Sequence, residues 1–139
     1  MILLDTNVIS ALMRPEPETL VVKWLDRQPR ASVWITSITV MEIRYGLQIM
    51  PKGRRRETMT QLLERMLAEK IEGRVAAFDT AAAEQTGDLM ASRKAKGRIG
   101  ESRDTMIAGI AMATGATLAT RNTGHFADLS VPVINPWTA

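Results

Sequence analysis

Ile2-Leu3-Leu4 runs unbroken into Asp5, and this junction constrains the fold more than any other stretch of the chain. An uninterrupted apolar run has no solvated face, so it suits a strand buried on both sides, as in parallel sheets. Thr6 and Asn7, followed by Val8, Ile9, Leu12 and Met13, read as the start of a helix. Asp5 thus stands at the carboxyl end of a central strand, where open α/β sheets keep their ligand crevices. A plain capping role is the competing reading, since a carboxylate there gains roughly 0.3–1 kcal/mol from the helix dipole.

The rest of the chain alternates in the same way. Pro17 or Glu18 opens a second helix carrying Leu20, Val21, Trp24 and Leu25, and Val33-Trp34-Ile35-Thr36 reads as a second strand. Thr36 or Ser37 caps a third helix, on which Ile38, Met41, Tyr45 and Ile49 share one face, with Glu42 on or beside that stripe. Buried unpaired, such a carboxylate costs several kcal/mol or takes up a proton; at the rim it reaches water. A basic turn, Lys52-Gly53-Arg54-Arg55-Arg56, leads into a long helix from about Glu57 to Lys70, which pairs with the third as an αα-hairpin. Val75–Phe78 is a third strand ending at Asp79, a capping candidate for a helix running to about Lys96. Lys94, Lys96 and Arg98 make a second basic turn, with Gly97 as the helix stop. Ser102 caps the next helix, placing Asp104 in its first turn with Ile107, Ala108 and Ala111 on the same face. Thr117–Thr120 is a fourth strand, and Val131–Ile134 a short last one, at an edge because Pro132 cannot donate to a ladder.

Strand–helix alternation predicts an α/β fold, a parallel sheet covered on both faces. At 139 residues, 45% of them hydrophobic, the chain fits one domain, residues 1–139. No apolar run approaches the roughly 20 residues a membrane span needs, and Asp5 interrupts any signal-peptide pattern, so the expectation is a cytoplasmic protein. Cysteine is absent and His125 is the only histidine, which excludes disulfides, thiolate catalysis and cysteine- or histidine-rich metal sites. A metal here must be held mainly by oxygen, which points to Mg²⁺ or Mn²⁺. The formal charge of +3 is compatible with a nucleic-acid partner.

In such a sheet the ends of the first and fourth strands, and the first turns of the helices beside them, can meet at one crevice. Asp5, Glu42, Asp104 and Asn122 then have a common meeting point. Carboxylates roughly 5 Å apart repel by about 3 kcal/mol per pair at an effective dielectric of 20, so a cluster of three needs a cation or a proton.

Four segments carry a more specific signal: Leu4-Asp5-Thr6-Asn7, Thr39-Val40-Met41-Glu42-Ile43, Arg103-Asp104-Thr105-Met106-Ile107-Ala108, and Leu118–Phe126. Together, and in this order, they resemble PIN-domain ribonucleases of the VapC/FitB type, toxins of bacterial toxin–antitoxin pairs. The resemblance implies a PIN-like three-layer α/β/α sandwich. It implies that Asp5, Glu42 and Asp104 hold Mg²⁺ or Mn²⁺, with Asn122 as a fourth site residue and Thr6, Asn7 and Thr120 in support. Asn122 departs only from the four-acid version of the site, which bears on a second metal and not on the first. His125 matches a common family residue and is given no catalytic role. The implied reaction is hydrolysis of an RNA phosphodiester by metal-activated water, leaving 5′-phosphate and 3′-hydroxyl ends. Arg54, Arg55, Lys94, Lys96, Arg98 and Arg103 are candidates for the RNA backbone, although charge runs are more often solvated faces. The implied partners are a second copy of the chain and a small antitoxin, forming a homodimer or a dimer of heterodimers that meets operator DNA only through the antitoxin.

Other readings fit less well. A phosphatase of the haloacid dehalogenase type needs a second Asp two residues after the first, where this chain has Asn7. A receiver domain needs a Lys near its last strands, which Thr120-Arg121-Asn122 does not supply. A PIN fold kept only for RNA binding or association is the alternative from a different class, and loss of one of the three acids would be its mark.

Overall fold

The computed structural model describes every residue, Met1–Ala139. Five strands form one sheet in which every pairing is parallel: β1 (Ile2–Leu4), β2 (Val33–Thr36), β3 (Val75–Ala76), β4 (Thr117–Ala119) and β5 (Val133–Ile134), in the spatial order β3-β2-β1-β4-β5. The chain builds outward from β1 to one side and then returns to build the other. The order therefore reverses at β1, and the crevice at the carboxyl ends of β1 and β4 is the switch point where such sheets bind ligands.

Pleating sends alternate residues to opposite faces. Leu4 of β1 and Ala119 of β4 join a core with α1 (Thr6–Leu12), α2 (Thr19–Asp26), α3 (Ser37–Ile49) and α4 (Arg54–Arg65). Leu3 and Leu118 join a second core with α5 (Thr80–Ala95) and α6 (Ser102–Thr114). The result is the expected three-layer α/β/α arrangement. The contact of α5 with α6 depends on Gly109, where an added Cβ would lie 1.9 Å from Thr86 Oγ1 and 2.7 Å from the Ala82 carbonyl. No helix is long and apolar enough to cross a membrane.

Several local expectations are corrected. On α3 Ile38 is buried as expected, but the buried row continues through Thr39, Ile43 and Leu47, whereas Met41, Tyr45 and Ile49 are 49%, 59% and 65% exposed. Both rows repeat every four residues, so periodicity alone does not choose between them. The Thr36 hydroxyl accepts from the Thr39 backbone N–H and donates to the Thr39 hydroxyl, which fixes the Thr39 side inward. The fourth helix starts earlier, at Arg54, and after Arg65 widens into a π-type turn over Met66–Ile71, closed by left-handed Glu72 and Gly73. β3 ends at Ala76, because the Phe78 N–H leaves the ladder to donate to Ser37 Oγ. β4 ends at Ala119, and β5 keeps only Val133–Ile134, at the edge as expected. Glu101, not Ser102, caps α6, its carboxylate accepting from the Asp104 N–H at 3.0 Å.

Candidate active site

Asp5 is both the last residue before α1 and the cap of that helix. Its N–H donates to the Ala119 carbonyl at 2.9 Å, tying it to β4. The side chain is only 3% exposed. One carboxylate oxygen accepts from the Thr6 N–H at 2.8 Å; the other accepts from the Thr120 hydroxyl at 2.7 Å and the Asn7 amide at 3.3 Å. Burial pushes its pKa from 3.8 up to about 6, opposed by the Thr120 and Thr6 hydrogen bonds and reinforced by the charges of Asp104 and Glu42.

Glu42 reaches this centre through hydroxyls. The Thr36 hydroxyl donates to Thr39, the Thr39 and Thr6 hydroxyls are 3.1 Å apart, and Thr6 donates to Glu42 Oε1 at 2.9 Å. Thr36 and Thr39 are fully buried, and this relay between α3 and α1 ends on the Glu42 carboxylate. Glu42 keeps 17% of its side chain exposed, bordering the buried row rather than lying within it, with Arg103 Nη1 3.9 Å from its other oxygen. Asp104, 28% exposed, has His125 Nδ1 3.6 Å away.

A cavity of about 370 Å³ opens at the switch point and is lined by Asp5, Thr6, Asn7, Asp104 and Asn122, along with Ser10, Ala11, Arg14, Arg121 and Trp137. Thr120 underlies it, accepting from the Asn122 N–H at 3.1 Å. Glu42 does not line this cavity, and the acids form no cluster of three ready to grip an ion. The donor set nevertheless suits Mg²⁺, which takes one or two carboxylates, keeps several waters and completes its octahedron on substrate phosphate. Asp5 and Asp104 are the two that could supply such a pair, and burial, reinforced by the charges of Asp104 and Glu42, is what raises the Asp5 pKa.

The basic candidates disperse. Arg98 lines an adjoining cavity of about 420 Å³ with Asp104, Glu101 and His125. Arg103 is engaged by Glu101 at 3.0 Å as well as lying near Glu42. Lys94 and Lys96 are exposed at the end of α5, and Arg54 and Arg55 are exposed at the start of α4. None of these four lines either cavity beside the acids. A more apolar cavity between α1, α2 and the Met66–Ile71 turn contains none of the predicted oxygen ligands.

Sequence reasoning missed Arg14, Arg121 and Trp137, which are brought to the site from three separate segments, and no spacing pattern links them. It also missed Arg93. That side chain is 5% exposed and grips Asp128 with two hydrogen bonds of 2.9 Å, while donating to Thr105 Oγ1 and the His125 carbonyl. One guanidinium thereby joins the first turn of α6, beside Asp104, to the loop after β4.

A family model described as PIN domain matches residues 2–131. The chain is 42% identical over 137 residues to the VapC ribonuclease Y4jK of Sinorhizobium fredii, spanning 99% of this chain and 98% of that protein. It is 37% identical over 137 residues to Toxin FitB of Neisseria gonorrhoeae, spanning 99% of each. The solved structure of FitAB bound to an IR36 DNA fragment superposes with a TM-score of 0.88 at 36% identity, covering 99% of this chain and 96% of that one.

Proposed function

The chain belongs to the PIN-domain family, and from that premise we propose that it is a Mg²⁺-dependent endoribonuclease acting as the toxin of a toxin–antitoxin pair. The observation that carries the reading is Asp5, buried at the switch point with Asp104 and Asn122 on the walls of the same cavity. The names of the VapC ribonuclease and FitB toxin relatives support the activity and the toxin role.

Asp5 and Asp104, with Glu42 behind them, would hold the cation, and Mn²⁺ can take the same oxygens. When bound, the cation supplies Lewis-acid activation of water and offsets charge at the phosphodiester. Thr120, Asn7 and the Thr6 N–H fix the rotamer of Asp5, so its oxygens need no reorganisation when substrate arrives. The Thr6 hydroxyl does the same for Glu42. Asp104, the more open carboxylate, is placed to take a proton from the attacking water. As the water oxygen bonds to phosphorus the P–O3′ bond breaks and the departing 3′ oxygen takes a proton from solvent, which leaves 5′-phosphate and 3′-hydroxyl ends. A non-catalytic RNA-binding or association module is disfavoured because all three acids are present and Asp5 and Glu42 are held by dedicated hydrogen bonds.

The reading includes a cognate antitoxin, with DNA met only through it; that a similar structure is of FitAB bound to a DNA fragment supports a DNA-bound assembly. It also includes a homodimer, for which the exposed row Met41, Tyr45 and Ile49 offers apolar surface. Incubating labelled RNA with wild-type protein and with Asp5→Asn, with and without Mg²⁺, tests the activity. Cleavage by the wild type alone, and only with the cation, is the expected result; equal cleavage by both proteins would overturn the reading.

A further inference from the structure

We infer that Arg14, Arg121 and Trp137 form a subsite for one unpaired nucleotide of single-stranded RNA, its base stacked on the Arg121 guanidinium and a neighbouring phosphate held by Arg14. The three residues line the same cavity as Asp5 and Asp104. The Arg121 guanidinium lies over the Trp137 ring, 4.9 Å from its centroid, and the residue remains exposed, so the ring holds a planar cation in place as a shelf that a base can reach. Arg121 and Arg14 are both exposed, and neither forms an ion pair, unlike Arg93 and Arg103.

The shelf is built into the fold. The Trp137 backbone N–H donates to Asn135 Oδ1 at 2.9 Å, and the residue packs, partly buried, against the core that contains Leu4 and Ala119. The Arg121 N–H donates to Asn7 Oδ1 at 3.2 Å, while the amide of the same Asn7 donates to Asp5. One side chain therefore sets the spacing between the shelf and the acids. A cavity lined both by carboxylates and by guanidiniums outside any ion pair fits a phosphodiester whose phosphate meets the cations near the acids. A base reaches a guanidinium plane only when unstacked from its neighbours, which selects single strands over duplex.

The inference takes its choice of nucleic acid from the ribonuclease reading, but its test measures binding. A fluorescent single-stranded RNA is prepared as a panel with one abasic position moved along it, and its affinity is measured by anisotropy in chelator. One abasic position is expected to weaken wild-type binding roughly 5- to 150-fold, the range that stacking supplies. Arg121→Lys keeps the charge and loses the plane. It should bind intact RNA as weakly as the wild type binds the abasic strand, and show no further abasic loss. Arg14→Gln should lower the salt dependence of binding by about 0.7 in log–log slope, one phosphate on a single strand. Thermal unfolding of both surface variants controls for folding. No abasic position with an effect, or a full abasic penalty retained in Arg121→Lys, would overturn the subsite. Cleavage of RNA without any abasic effect would remove the subsite alone; an abasic effect in a protein that cleaves no RNA would remove the ribonuclease reading alone.

Discussion

The Thr120 hydroxyl donates a 2.7 Å hydrogen bond to Asp5, a residue 115 positions earlier in the chain. This bond joins the ends of the two neighbouring strands β1 and β4, and it opposes the rise in the Asp5 pKa that burial causes. Thr120→Val removes it while keeping the shape. Asp5 should then titrate higher still, and the acid limb of any cleavage profile should move to higher pH. Fold stability should drop by about 1–3 kcal/mol, the cost of a buried acceptor losing a donor. NMR titration of the Asp5 carboxyl and urea unfolding check both.

Asp5 also makes the stability of the metal-free protein depend on pH. Its folded pKa of about 6 lies above the ordinary 3.8. Between these values the folded state holds a proton that the unfolded state has released, so stability falls as pH rises from about 4 to about 6. The difference corresponds to about 3 kcal/mol. Unfolding measured at pH 4.5 and pH 7 spans about 2 kcal/mol of this, and should show that loss in the wild type and most of it gone in Asp5→Asn. A flat wild-type profile would contradict the burial argument.

Arg93 is the opposite case, a buried cation fully matched by Asp128, Thr105 and the His125 carbonyl. Removing one partner of a buried pair typically costs about 3–5 kcal/mol, because the other charge stays behind. Arg93→Ala should lose that much in urea unfolding and also loosen the loop after β4, seen as faster amide exchange at His125 and Phe126. Asp128, held below the usual carboxylate range by Arg93, gives stability that is lost only as pH falls through its lowered pKa.

Much of this was legible in the sequence. The run into Asp5 located β1 and its carboxyl end because a strand buried on both faces leaves no other pattern. Asp79 was recognised as a cap, and its carboxylate does accept from the Ala82 N–H. The α3 face was not legible, since the row Met41, Tyr45 and Ile49 is as apolar as the row that the Thr36–Thr39 hydroxyls turn inward. The Arg121–Trp137 stack and the Arg93 grip were hidden for a different reason. Each joins residues from distant segments, and only the packed sheet brings them together. Glu42 lay between: its place beside a buried row was visible, but the Thr6 hydroxyl that orients it from another helix was not.

The proposed site requires Asp5 and Asp104 to serve one cation although the chain separates them widely. Calorimetric titration of Mn²⁺ into the wild type and into Asp104→Asn, both in metal-free buffer, measures that directly. The prediction is saturable binding by the wild type that weakens at least about tenfold in the variant, a difference of about 1.4 kcal/mol. Equal binding by the two proteins would contradict the shared site.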